Sequence, residues 1–158
     1  MTAALRLRLD LQQLYAEYAA CLDDGRMSDW PGFFVEDGHY RLVPRENHDR
    51  GLPLATIDLR GRGMLEDRVY GVTRTLFHAP YYQRHVIGPV RLLEPEGETI
   101  RAEANYVVIR TKRDQRSEIL STGRYLDRVM KTASGLKFAV KVCVFDSELI
   151  PNSIIYPI

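Results

Sequence analysis

Cysteine is scarce in this chain of 158 residues: Cys21 and Cys143 are the only two, far apart and in no CxxC or CxH pattern. Two thiols in a chain long enough to bury its own core make neither a disulfide framework nor a paired-cysteine metal site. They read as small buried hydrophobes in a reducing cytosol. An excess of charge is lacking too. There are 22 Lys and Arg against 21 Asp and Glu, a net charge of +1. That leaves nothing to neutralise a phosphate backbone and argues against nucleic acid as a partner. No apolar run approaches the roughly 18 residues that suggest a membrane span. Arg6 and Arg8 raise the question of a targeting peptide. Asp10 and Glu17 interrupt it, however, and the leucines run on into a helix, so the segment is expected to belong to the fold. Repeats, low-complexity tracts and linkers are also missing. One cytoplasmic domain over residues 1–158 is expected, of a size that buries about 70% of the unfolded chain's surface.

What is present reads as helices first and strands afterwards. Leu7, Leu11, Leu14, Tyr15, Tyr18 and Leu22 share one helical face, with Gly25 as the stop. Asp10 and Gln13 have capping-box spacing. Ser28 suits the N-cap of a short second helix carrying Trp30, Phe33 and Phe34, with Pro31 in its first turn. A strand over 39–43, a polar loop over 44–53 and a helix over 61–76 follow, the last interrupted by Gly71. From Tyr82 the period changes to two, giving strand-like runs at 83–94, 99–112, 116–130 and 136–146, separated by turn residues. In the last run Phe138, Val140, Val142 and Val144 should face one way, and Lys137 and Lys141 the other. Helices followed by a meander make an α+β domain of N-terminal helices and an antiparallel sheet; a strongly curved sheet wrapped around the helices would make a half-open cone. The apolar tail 147–158 contains Pro151 and Pro157, so it is no central strand. It is expected to fold back on its own subunit or dock on a neighbour.

The candidates for chemistry are few. His39, His48, His78 and His85 include no HxxxH, HxxxxH or HExxH pair. His78 and His85 with an aspartate could in number alone make an iron-binding facial set. Cysteines for a Rieske cluster are missing. Arg60-Gly61-Arg62-Gly63 lacks the strand and GxGxxG context of a phosphate loop and reads as a turn entering a helix. In a cone-shaped domain the open end can hold a pocket. Asp37, Tyr40, His85 and Asp127, walled by Tyr18 and Trp30, are the residues that could serve as general acid or base there. The plainer alternative is that all four are hydrogen-bonded residues of a filled core or an interface. For His85, that alternative is a bridge between helix and sheet through both ring nitrogens. Arg101, Arg110, Arg113, Arg116, Arg124 and Arg128 along neighbouring strands fit a protein-facing surface.

Several segments, in order, resemble one family. They are Leu22-Asp23-Asp24-Gly25-Arg26 with Trp30; Phe33-Phe34-Val35-Glu36-Asp37 running into His39-Tyr40; Gly63 to Val69; Tyr82-Gln83-Arg84-His85; Ser121 to Asp127; and the apolar tail. Together they resemble the small (beta) subunit of bacterial aromatic-ring-hydroxylating oxygenases. The resemblance implies a cone like that of nuclear transport factor 2, also called cystatin-like, and no catalytic, cofactor or metal residue in this chain. It implies a large (alpha) subunit holding a Rieske [2Fe–2S] cluster, mononuclear iron and the substrate. Electrons would come from NAD(P)H through a reductase, and three large would assemble with three small subunits. Asn47 to Leu54 with Gly63-Met64-Leu65 resembles the branch acting on carboxylated aromatics. A stand-alone isomerase or dehydratase using Asp37, Tyr40, His85 and Asp127, or a small-ligand-binding protein, is the alternative.

Overall fold

The computed structural model describes residues 2–150 and 154–158; of the tail, Pro151, Asn152 and Ser153 therefore lie outside the described residues. Helix α1 (Ala3–Asp23) starts a full two turns before Asp10, because the Thr2 hydroxyl already caps it by accepting the Leu5 N–H at 3.3 Å. Asp10 lies inside the helix and pairs with Arg6 one turn back at 3.1 Å, so the capping box does not form. Leu11, Leu14, Tyr15, Tyr18 and Leu22 are buried along one stripe. Gly25, at φ +71°, takes the left-handed conformation that ends the helix. The next segment, Met27–Phe33, is a 3-10 helix; Ser28 sits within it and makes no cap, while Phe34 already belongs to the following strand.

That strand is β1 (Phe34–Pro44), followed by the one-turn α2 (Arg45–Asp49) where a loop was expected, and by β2 (Ile57–Arg60). Four residues are too few to show an alternation, so β2 left no readable signal in the sequence. Helix α3 (Gly61–Tyr70) gives way at Gly71 to a π-helical turn, Gly71–Thr75, instead of continuing as one helix to 76. The expected run 83–94 splits at Gly88-Pro89 into β3 (Tyr81–Ile87) and β4 (Arg91–Leu92), since proline cannot donate to a ladder. The strands β5 (Ile100–Lys112), β6 (Glu118–Thr132) and β7 (Gly135–Phe145) complete a sheet of seven strands among the described residues.

The strand order is β2-β1-β7-β6-β5-β3, with β4 also on β5. The sheet is curved around α1, which packs on β3 and β7, while α3 packs on β1. The α+β cone is therefore the architecture found. One pair departs from an antiparallel meander: β1 runs parallel to β7, so the sheet is mixed. Two bulges decide what faces inward. In β1, Phe34 pairs with Phe138 but His39 pairs with Val140, so residues 35–38 are pushed out of register. Gly38 allows this: a Cβ there would lie 2.8 Å from the Phe34 Cβ. In β7 the register with β6 shifts between Phe138 and Val140. Before the shift Phe138 faces the core; after it Lys141, Cys143 and Phe145 do. Lys141 therefore points into the cone, opposite to the expectation from simple alternation.

Candidate functional site

Lys141 is the most unusual side chain in the molecule: its exposure is 0%. Its ammonium donates to Asp127 Oδ2 at 2.9 Å, directly across the β6–β7 ladder. The Tyr15 hydroxyl on α1 donates to the same oxygen at 2.5 Å. Four rings surround the cation, with centroids at 3.5 Å for Tyr125, 4.4 Å for Phe138, 4.6 Å for Tyr18 and 4.8 Å for Tyr15. Such faces stabilise a desolvated cation by about 2 kcal/mol. Burial pushes the Asp127 carboxyl above the usual carboxylate range, against the opposing pull of Lys141 and of the Tyr15 hydrogen bond. This triad ties helix α1 to the middle of the sheet. Asp127 Oδ1 has no partner among the described residues.

The mouth of the cone is filled by the chain's own tail. The Ile158 N–H donates to the Tyr40 hydroxyl at 2.9 Å, and the Ile158 carbonyl accepts from Tyr18 at 2.9 Å and from the Cys143 thiol at 3.3 Å. Trp30 Nε1 donates to Tyr18 at 3.3 Å and stands edge-on to Tyr40, 5.2 Å between centroids. Nearer the surface Arg68, on α3, donates to the Ile154 and Ile155 carbonyls at 2.8 and 2.6 Å. Tyr156 lies 5.2 Å from the rings of both His78 and Tyr81. Of the two fates open to the tail, residues 154–158 take the first and fold back onto their own subunit.

The four candidate residues are not brought into one pocket. Tyr40 and Asp127 face the interior, where the tail and Lys141 occupy their polar atoms. Asp37 is exposed in the β1 bulge. His85 sits at the seam between α1 and β3. Its Nδ1 meets Asp23 Oδ1 at 2.6 Å, and the same carboxylate accepts the His85 backbone N–H at 3.0 Å. His85 thus bridges helix and sheet, but through one ring nitrogen: Nε2 is buried without a partner among the described residues. Tyr18 and Trp30 line the core as walls. His39 Nε2 is paired with Asp58 at 2.5 Å and His48 Nδ1 with Asp49 at 3.1 Å. Among the described residues no group of three or more His, Cys, Asp or Glu is placed to hold a metal ion. Nor is any helix there long and apolar enough to cross a membrane.

Sequence reasoning missed Lys141, Asp23 and Arg68. Lys141 was hidden by the bulge. Asp23 had a usable signal, an acidic residue on the last turn of a helix, but no sequence spacing points from it to His85. The outer face of the sheet carries the other notable surface. Tyr82 and Val86 on β3 and Ile119 on β6 are 79%, 55% and 67% exposed. Of the strand arginines, Arg110 pairs with Glu118, Arg124 with Asp49, and Arg101 and Arg128 with Glu96.

A curved sheet around an N-terminal helix, with a tail in its mouth, defines a class, and the sequence profile of the SnoaL-like domain matches residues 3–141. Relatives narrow it. The small subunit of anthranilate 1,2-dioxygenase from Burkholderia cepacia is 29% identical over 158 residues, covering 100% of this chain and 98% of that one. A beta subunit of the terephthalate 1,2-dioxygenase terminal oxygenase component from Comamonas sp. is 26% identical, covering 90% and 93%. A crystal structure described as the beta subunit of an aromatic-ring-hydroxylating dioxygenase from Novosphingobium aromaticivorans matches with a TM-score of 0.90 at 33% identity, covering 99% and 100%. The chain belongs to the SnoaL-like family and, within it, to the small (beta) subunits of aromatic-ring-hydroxylating oxygenases.

Proposed function

We propose that this chain is the mainly structural small subunit of a cytoplasmic oxygenase that hydroxylates a carboxylated aromatic compound. Its partner is a large subunit that carries the Rieske cluster and the mononuclear iron, fed by electrons from NAD(P)H through a reductase. The observation that carries this reading is the match to a beta subunit at a TM-score of 0.90 and 33% identity, covering 99% of this chain and 100% of that one. Three features of this chain support it. The cone is stoppered by residues 154–158. Asp37, Tyr40, His85 and Asp127 are dispersed among other partners. The exposed apolar side chains Tyr82, Val86 and Ile119 on the outer face of the sheet offer a subunit-facing surface. The carboxylated substrate follows the names of the anthranilate and terephthalate enzymes among the relatives. Residues 1–158 act as one unit, and three copies assemble with three large subunits around a closed threefold axis.

Co-expression with the Rieske-type large subunit of the same genome tests this. Expected is a stable complex of equal stoichiometry, in which iron and cluster absorbance follow the large subunit and the small chain alone holds neither. Stoichiometric iron retained by this chain alone through mild chelation would overturn the reading. So would a small chain that stays a monomer and never joins the large subunit.

A further inference from the structure

Tyr156 lies in a slot between His78 and Tyr81, with both ring centroids at 5.2 Å. Arg68 reaches the carbonyls just before it, at Ile154 and Ile155. This guanidinium is half-buried, its hydrogen bonds among the described residues go to those two carbonyls, and its Nε has no acceptor there. A half-buried cation held only by neutral carbonyls is incompletely satisfied, since a carboxylate matches its planar fork with two charge-assisted bonds. His78 Nε2 is buried and also lacks a partner among the described residues. A slot between two aromatic rings, tilted by 51° and 75° to its occupant and next to an under-satisfied guanidinium, matches one kind of molecule. We propose that the slot formed by His78, Tyr81 and Arg68 is a binding site for a small aromatic carboxylate, and that Tyr156 of the tail is its resident occupant.

The ring of the ligand takes the place of the Tyr156 ring, and its carboxylate takes the guanidinium from the two tail carbonyls. Binding then requires the tail to leave, which ends the Ile158 contacts with Tyr40 and Tyr18. Trp30, the chain's single tryptophan, is hydrogen-bonded to Tyr18 and stands against Tyr40, so its fluorescence reports that departure. This inference goes beyond the oxygenase reading and does not rest on it: it holds or fails on the isolated chain, with no large subunit present.

The test titrates benzoate into the full-length wild-type chain and into Tyr156→Ala, followed by Trp30 fluorescence at constant ionic strength. Tyr156→Ala should bind saturably and at least about tenfold more tightly than wild type, because a competing state has been weakened. Adding Arg68→Gln to Tyr156→Ala should remove at least about tenfold of that affinity. Benzamide, the neutral counterpart, should bind far more weakly than benzoate. A folded Tyr156→Ala chain without saturable response overturns the proposal, and so does equal affinity in wild type, or benzamide equal to benzoate. If Tyr156→Ala does not fold, amide exchange in the wild-type chain decides instead. Benzoate should speed exchange of the Ile158 N–H that Tyr40 now protects, and unchanged exchange overturns the proposal.

Discussion

Replacing Lys141 with methionine isolates the energetics of the buried pair. Methionine keeps the length and much of the volume of the side chain while deleting its charge. Asp127 then remains inside the cone at 3% exposure with the Tyr15 hydroxyl as its remaining side-chain donor. Removing one partner of a buried ion pair costs about 3–5 kcal/mol, because the other charge is left uncompensated. For a domain of this size each kcal/mol lowers the melting temperature by about 2–4 °C. Lys141→Met should therefore melt about 6–20 °C below wild type at pH 7, followed by far-UV circular dichroism. The pH dependence carries a second signature. Burial already raises the Asp127 carboxyl, and loss of the ammonium raises it further. An acid whose folded value exceeds its unfolded value of about 3.9 binds protons more tightly when folded. Stability must then fall as pH rises between those two values, so the variant should recover stability on acidification from neutral pH, more steeply than wild type does. Asp127→Leu combined with Lys141→Met and Tyr15→Phe removes charge and hydroxyl together and should lie much closer to wild type than Lys141→Met alone. A Lys141→Met chain within about 1 kcal/mol of wild type at pH 7 would refute the reasoning.

His85→Ala removes the ring that satisfies Asp23 at the α1–β3 seam and should cost about 1–3 kcal/mol in thermal unfolding, with turnover per assembled oxygenase unchanged. An unchanged melting point with abolished turnover would reverse that assignment. Burial pushes the Cys21 thiol up to about 11 and the Cys143 thiol up to about 12, so neither should react with a disulfide reagent at pH 8 in the folded chain. Rapid labelling under native conditions would contradict the packing described. Partial burial works against ionised Asp58, but His39 and Arg41 together hold its carboxyl below the usual range. A depressed acid lends stability above its unfolded value that is lost as pH falls through the folded one. Asp58→Asn should therefore flatten the acid limb of the stability curve below about pH 4, and an unaltered limb would count against the pair.

The helical stripe from Leu11 to Leu22 and the late two-residue periods were legible because each is long enough to repeat its signal several times. Gly25 and the turns between β5, β6 and β7 were legible for the same local reasons. What escaped depends on the sheet as a whole. A single extra residue near Ala139 reverses the phase of β7, and no run of amino acids announces that Lys141 lies on the inner side of it. The parallel pairing of β1 with β7 joins segments that share no local signal. For the candidate site, Tyr40 and Asp127 lie inside, and their partners Ile158 and Lys141 come from the tail and across the ladder, where no local sequence signal points. Asp37 falls in an outward bulge that depends on Gly38. The capping-box spacing at Asp10 and Gln13 marks no helix start because Thr2, upstream, already caps α1.

The pairing of β1 with β7 also sets an order of events in folding. His39 meets Val140 only after about a hundred further residues are in place, whereas β5, β6 and β7 join through short turns. Closing so long a loop carries an entropic cost before any contact rewards it, and chains dominated by such contacts fold slowly. The meander should therefore form first, with Lys141 and Asp127 already opposite each other, and β1 should zip onto its edge late. During that interval the β1-facing edge of β7 is an unpaired row of amides and carbonyls beside apolar side chains, able to recruit a strand from another chain. Refolding yield should consequently fall with protein concentration more steeply than folded-state stability would suggest.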